Sequence, residues 1–354
     1  GDHMAAHERL ITALRDRYGD ALGADGLYTQ RGATYPLWVI RPDEGQTDVN
    51  SILAGDFPRD FINPAAFPAR DDAHLQARQA TRTLTNGLCY VMDRLDTTPL
   101  QIHAKLGYYF DMMATCDALD HELRDFARGD RDATPLRDQF HAAITPEDAL
   151  KHGRGRSAVI GGAVLTVFNH ADGYQCMVGQ RTGQMATGAG LYHVIPAFVL
   201  QPSGPENYYA GEWSFTHHVM REFGEELFAM PEFSDWLATH AHDYFYTHPA
   251  VSDLRVMLQT GQAELQLTGV AINLLSLRPE ICALLIIHEE GWYARWQHEL
   301  IAAQNTERQE TRHIPLKTLA GLPDDLHLRM VPQGAAAFWL GVERARTLLS
   351  MPNT

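Results

Sequence analysis

The sequence predicts an α+β protein, a mixed sheet between helical layers. Three observations carry this. Residues 157–181 and 263–288 contain apolar, β-branched runs of strand length broken by turn residues. Helical periodicity recurs before, between and after those runs. The texture also changes near residue 156, from charge-mixed helical patterns to strands, and 354 residues suffice for two domains at roughly 150 each.

Taken in order, an amphipathic helix spans His7 to Leu22, and a β-like stretch runs from Leu27 to Arg41. Gly1 to Met4 read as an expression scar ending at the initiator methionine. The proline-punctuated connection from Asp56 to Arg70 is expected to be irregular but packed, because Phe57, Phe61, Ile62 and Phe67 need burial. Two helices are expected next. One runs from Asp72 to Arg94; the other, from Ile102 to Phe126, carries Leu106, Tyr109, Phe110, Met113, Leu123 and Phe126 on one stripe. The segment Gly129 to Arg156, marked by Pro135, Pro146, Gly153 and Gly155, is the boundary candidate. It divides a mainly helical N-terminal extension, residues 1–155, from a second domain, residues 156–354. Leu136, Phe140, Ile144 and Leu150 make it too apolar for a solvated linker, so the two parts should pack together.

Beyond it, Ser157 to Asn169 and Tyr174 to Arg181 form a hairpin about a His-Ala-Asp-Gly turn, and His193 to Gln201 is a strand with a proline bend. A helix follows from Gly211 to Met230. A second hairpin pairs Ala263 to Ser276 with Ile281 to His288 about a turn at Arg278-Pro279-Glu280. A helix at Trp292 to Gln304, a strand at Arg312 to Leu316 and a helix at Gly334 to Leu349 complete the chain.

Composition narrows the function classes. With 44 Asp and Glu against 29 Lys and Arg, the net charge of −15 repels polyanions, which argues against nucleic-acid polymers and anionic membranes. A small anion carried with a divalent metal is compatible. No stretch approaches the ~20 apolar residues of a membrane span, and no signal-peptide pattern opens the chain, so a cytoplasmic protein is expected. Cys89, Cys116, Cys176 and Cys282 lie far apart without a CxxC pair, and buried free thiols are expected of all four.

One segment concentrates chemistry: Arg221, Glu222, Phe223, Gly224, Glu225, Glu226. On a helix, Glu222 lies three and four residues from Glu225 and Glu226, so three carboxylates share a face and repel by about 0.2–0.5 kcal/mol per pair. If the helix stops before Pro231, they also sit in its last turns, where the macrodipole disfavours each by about 0.3–1 kcal/mol. A hard divalent cation with oxygen ligands compensates both, and a solvated acidic face is the alternative. His218, four residues before Glu222, shares that face and brings in a mixed His/Glu centre; a capping or packed histidine is the other reading. His240, His242 and His248 lie in an aromatic loop that reads either as a lid or as the edge of the core. Gly153-Arg154-Gly155 and Gly161-Gly162 lack the strand-helix context of a phosphate loop.

The order Arg-Glu-hydrophobic-any-Glu-Glu resembles the second half of the box that defines the Nudix hydrolase superfamily. The flanking hairpins and the proline-containing strand agree, over about residues 156 to 350, and Tyr109 to Leu123 and Val194 to Pro202 also look like an actinobacterial group of Nudix-like proteins with an N-terminal extension. Departures are equally plain. The box's first Gly falls on Asn207, its first Glu on Trp213 and its last Gly on Phe228, with Glu212 one residue from the expected Glu. Pro196-Ala197-Phe198 stands where many members have Pro-Gly-Gly, so the main-chain carbonyl that often binds metal falls to Ala197.

The resemblance implies Mg²⁺- or Mn²⁺-dependent hydrolysis of a nucleoside diphosphate linked to another group. Glu222 and Glu226 are then direct metal ligands, Glu225 is a third ligand or holds metal-bound water, and Arg221 orients a carboxylate. The general base comes from the loop before the last core strand, at Glu307 or Glu310, with Glu289 and Glu290 behind them. The alternative is a Nudix-fold nucleotide sensor or scaffold that has lost hydrolysis, whose N-terminal half signals or makes a homodimer. The three retained glutamates favour chemistry, and Asn207, Trp213 and Phe228 favour its loss.

Overall fold

A computed structural model describes residues 1–181, 191–202, 210–232, 243–307 and 309–353. It is an α+β structure. Helix α1 (Asp2–Tyr18) buries Leu10, Ile11, Leu14 and Tyr18, one stripe at helical spacing. Strands β1 (Thr29–Gln30) and β2 (Ala33–Thr34) make a small ribbon ahead of β3 (Leu37–Ile40). Short 3-10 turns at Val49–Ile52 and Pro64–Ala66 punctuate the proline-marked stretch, as its irregular pattern predicts. Phe57 is buried there, but Phe61 is 45% exposed and stacks on Tyr108 at 5.9 Å, so one face of its ring is covered instead of the whole side chain.

The expected helix from Asp72 to Arg94 is only half right. Helix α2 (Asp72–Thr81) ends early, and β4 (Leu88–Thr97) pairs antiparallel with β5 (Leu100–Tyr108) in a hairpin turning at Thr98-Pro99. Residues 88–92 are all buried, so β4 lacks the alternation that marks a strand, and an unbroken apolar run suits either period. The second expected helix likewise starts late. It comprises α3 (Tyr109–Met112), a π turn at Met113–Asp117, and α4 (Ala118–Arg128), which ends at Gly129 in the left-handed region. Helices α5 (Pro135–Ala143) and α6 (Pro146–Lys151) fill the segment before residue 156, each opened by a proline. Phe140 and Leu150 are in the core, so this segment is packed.

The remaining elements are β6 (Gly161–His170), β7 (Gly173–Arg181), β8 (Tyr192–Val194), β9 (Ala197–Val199), α7 (Phe215–Phe228), α8 (Pro249–Thr260), β10 (Ala263–Asn273), β11 (Arg278–Ile287), α9 (Trp292–Glu307), β12 (Gln309–Pro315), α10 (Leu326–Arg329) and α11 (Pro332–Leu348). Among the described residues eight strands form one mixed sheet, ordered β12-β7-β6-β11-β10-β3, with β8 on β7 and β9 on β6. The β11–β6 pair is parallel and the other pairs are antiparallel. Strand β3, from the first 155 residues, closes the β10 edge with Ile40 opposite Val270.

The sheet's two faces alternate strictly. Val164, Phe168, Met177, Ile281, Ala283 and Leu285 face the core that includes α7, α8, α9 and the N-terminal elements. Ala163, Leu165, Val167, Cys176, Cys282 and Leu284 face α11, which meets them with Ala335, Ala336, Ala337 and Phe338. Small residues let this helix lie close, for a Cβ on Gly341 would come within 2.8 Å of Leu165 Cβ. All four cysteines are free and buried. Among the described residues no helix is long and apolar enough to cross a membrane.

The β10–β11 turn differs from its sequence reading. The connection is Leu274–Leu277, not Arg278-Pro279-Glu280, and Leu277 takes φ +58. Asn273 opens the turn by accepting the Leu275 amide at 3.0 Å, and Ser276 Oγ accepts the Arg278 amide at 3.3 Å. The turn's carbonyls are held by two buried arginines. Arg137 donates to Leu274 O at 2.9 Å, to Leu275 O and to Leu119 O, and Arg156 donates to Leu277 O from both Nε and Nη2. Arg156 also reaches Ala149 O at 2.6 Å and His152 O at 2.9 Å. Replacing Arg156 by Met should therefore strand several buried carbonyls and cost at least ~3 kcal/mol in urea unfolding. Arg156→Lys should recover little, since an ammonium cannot span the same fork of acceptors.

Candidate functional site

The glutamate cluster lies on α7, and the N-terminal part of the chain builds that helix's beginning. Ser214 is the N-cap residue, and Asn50 Oδ1 accepts from both Ser214 Oγ and the Thr216 amide at 3.0 Å. Trp213 Nε1 donates to Ala54 O at 3.3 Å, and the Trp213 ring lies 5.0 Å from that of Tyr90. Trp213, at the box's expected glutamate, thus docks α7 on the N-terminal elements. Phe228, at the expected glycine, packs on Phe223 and Trp296. The left-handed residue that ends the helix is Ala229, one position later, at φ 53. Asn207 lies outside the described residues.

Arg221 is 1% exposed. It donates to the Gln201 carbonyl at 3.5 Å and to His218 Nδ1 at 3.1 Å, and its Nη2 stands 4.0 Å from Glu222 Oε1. His218 is fully buried, and its Nε2 donates to Glu212 O at 2.8 Å. Burial, then the adjacent Arg221 charge, push its pKa well down. Both ring nitrogens are thereby engaged, which makes His218 a support for Arg221 instead of a member of a mixed His/Glu centre. Glu212 is buried in the 3-10 turn Ala210–Glu212, and its main-chain carbonyl enters this network by accepting from His218.

Glu222, Glu225 and Glu226 do share a face. Glu222, with a side chain only 16% exposed, lies beside Glu225. Burial first, and the Glu225 charge second, hold the Glu222 carboxyl well above the usual range, with Arg221 opposing them. Tyr244 OH donates to Glu225 Oε1 at 3.4 Å. Glu226 Oε2 accepts from the Ala197 amide at 2.8 Å. Ala197, expected to offer a carbonyl, therefore meets the cluster through its N–H.

In kind, three carboxylates suit a hard cation, and the Glu222–Glu225 pair is a concentration of charge that a cation relieves. In arrangement, among the described residues no three His, Cys, Asp or Glu groups already converge as a ligand set. The structure brings Glu222 and Glu225 together and sets Glu226 against the strand that follows Pro196.

The expected general bases fare differently. Thr311 and His313 of β12 line a narrow cleft with Glu226, so alternation puts Glu310 on the opposite face of the strand, where it is exposed. Glu307 ends α9, and its side chain lies outside the described residues. Glu289 is paired with Arg295 at 2.5 Å, and Glu290 is exposed. His248 caps α8 through the Ala250 amide at 3.1 Å and packs on Phe228, whereas His240 and His242 lie outside the described residues.

Sequence reasoning missed one carboxylate. A cleft of about 220 Å³ beside Ala197 is lined by His193, Val199, Glu226, Arg278, Glu280 and Gln333. Glu280, at the start of β11, is 7% exposed, and burial raises its pKa to about 7 against the pull of Arg278. The misplaced turn had made Glu280 look like a solvated turn residue. A charge flanking the apolar run Ile281–Ile287 was the available signal.

No protein-family model matches the chain, and no curated protein matches it in sequence.

Two stability measurements probe this description. Ala229→Gly should stabilise the protein by about 0.5–1 kcal/mol in urea unfolding, because a left-handed cap is strained with a Cβ. For Glu280, the folded state keeps the proton up to about pH 7 while the unfolded state releases it near 4.5, so stability should fall as pH rises through that window. The loss should be on the order of 2–3 kcal/mol, and Glu280→Gln should flatten that part of the stability–pH profile.

Proposed function

We propose that this chain is a metal-dependent hydrolase of a nucleoside diphosphate linked to another group, working at Glu222, Glu225 and Glu226. The observation that carries the reading is the meeting of this cluster with the Pro196-Ala197 strand, through the 2.8 Å bond from the Ala197 amide to Glu226. The box-like order of residues is supported by their placement on one helix face beside a cleft of substrate-like character.

Glu222 and Glu225 would hold the metal, with Glu226 completing the set or holding its water. Mg²⁺ or Mn²⁺ bound there supplies neutralisation of the diphosphate oxygens and activation of an attacking water. Arg221 keeps the Glu222 carboxylate in place and is itself fixed by His218 and the Gln201 carbonyl. A nucleotide sensor without hydrolysis is favoured by a specific observation, that no three His, Cys, Asp or Glu groups converge as a ligand set among the described residues.

A screen of nucleoside diphosphate derivatives with Mg²⁺ and Mn²⁺, read as released phosphate or nucleoside monophosphate, separates the two. For a hydrolase, millimolar metal should raise the melting temperature, because relief of clustered charge exists only in the folded helix. Glu226→Gln should cut turnover at least ~100-fold, the loss of several kcal/mol of charge stabilisation. Glu310→Gln should leave the rate unchanged, as its strand face requires. Full turnover by Glu226→Gln would rule out the metal-centred mechanism. Binding of a nucleotide with no turnover by the wild type would establish the sensor.

A further inference from the structure

The carboxylate of Glu280 is buried, yet among the described residues no hydrogen bond or ion pair reaches it; Arg278 acts on it only through space and spends its Nε on Val159 O at 3.0 Å. Buried charges without partners are rare in folded proteins and need a reason. This one has been given room. Glu280 stands opposite Gly161 in the parallel pair, and a Cβ on Gly161 would lie 2.1 Å from Glu280 Oε2. The carboxylate therefore lies across the bare backbone of β6 and faces the cleft.

The walls of that cleft are mixed. Val194, Ala197 and Val199 give apolar surface, and Gln333 is fixed by Asn273 Nδ2, which donates to its Oε1 at 3.3 Å and leaves its amide protons directed elsewhere. The volume, about 220 Å³, is below the ~300 Å³ of common small-molecule sites and suits one planar group. An acceptor with two oxygens, set among such walls, is complementary to a pair of N–H donors on one carbon.

We propose that this cleft is a binding subsite for a planar group presenting two adjacent N–H donors, with Glu280 as the acceptor of both and Gly161 as the residue that makes its position accessible. Two sources share that chemistry, the amino–imino edge of a guanine base and a guanidinium compound. The guanine source rests on the reading of the chain as a nucleotide-binding protein, with Glu226 at the other side of the cleft.

The test is calorimetric binding of guanosine, inosine and methylguanidine to the full chain in EDTA at about pH 8, where Glu280 is ionised, so that its outcome is independent of metal and hydrolysis. Guanosine should bind at least ~10-fold more tightly than inosine, which lacks the 2-amino donor, as expected for a charge-assisted hydrogen bond. Glu280→Gln should abolish that preference. Gly161→Ala, which displaces only the end of a flexible side chain, should abolish it while Glu280 is retained. Glu280-dependent binding of methylguanidine alone would support the subsite and assign its source to a guanidinium. Equal binding of guanosine and inosine with no methylguanidine binding, or binding unaffected by either substitution, would overturn the proposal, as would the absence of binding by all three. Turnover of a diphosphate substrate alongside such a failure would leave the hydrolase reading standing.

Discussion

The structure depends on two guanidinium groups buried without carboxylate partners. Arg137 and Arg156 are among the largest fully buried side chains, and their charge is met by main-chain carbonyls of the β10–β11 turn and of α4 and α6. A buried cation is costly unless its donors are satisfied, and a planar fork of five N–H groups is well suited to scattered carbonyls. The consequence is reciprocal. The arginines need the turn's carbonyls, and the turn, whose amides are held locally by Asn273 and Ser276, has its carbonyls satisfied by the arginines. Because β11 begins directly after it, the clamp also fixes where Arg278 and Glu280 enter the sheet.

The N-terminal residues serve the candidate site in a second way. Asn50 supplies acceptors to the first turn of α7, Ala54 receives the Trp213 indole, and Tyr90 lies against both Trp213 and His218. Tyr90 also accepts the Ile160 amide through its carbonyl while its own amide donates to Leu200, so β4 is bonded to the residues just before β6 and just after β9. Trp213, one of the positions at which the sequence departs from the pattern it resembles, makes two of these contacts, whereas Phe228 packs on Phe223 and Trp296. Trp213 replaces an expected acid with a docking side chain, and Phe228 replaces an expected glycine with a core aromatic. Helix α7 is thus seated on the N-terminal elements by packing and hydrogen bonds.

How much of this was legible follows from the period of each signal. The long sheet strands, the proline bend at Pro196, the last two long helices and the shared face of Glu222, Glu225 and Glu226 were readable, because β-branched runs, turn residues and helix spacing are local. The β4–β5 hairpin was not, since the buried run Leu88–Met92 has neither alternation nor, apart from Val91, a β-branched residue. The Leu274–Leu277 turn was missed because Arg278-Pro279-Glu280 offered a stronger turn signal than Asn273 and Ser276, and because the groups that hold its carbonyls, Arg137 and Arg156, lie more than a hundred residues away. That single error moved Glu280 from strand to turn and hid the cleft. His218 shows the opposite limit: helix spacing correctly placed it on the glutamate face, but its ring nitrogens were taken by Glu212 O and Arg221, which spacing does not reveal.

The distribution of satisfied and unsatisfied charge argues for where function lies. Glu122, 3% exposed, accepts the Leu136 amide at 2.7 Å and the Arg137 amide at 3.0 Å, and so opens α5 from the side of α4. Asp117 is likewise held by His74 and Arg78, which pull its pKa down against burial. These acids are resolved by the fold itself. Glu222 and Glu280 differ, for burial drives the pKa of each upward, and what opposes it is a single arginine that does not closely pair with the carboxylate. Folding alone would favour neutral residues at both positions, as it favours satisfied groups elsewhere in the core. That two such carboxylates sit on elements bordering one cleft, each beside an arginine committed to carbonyl oxygens, is what a site built for an external partner requires: a charge whose compensation arrives with the ligand.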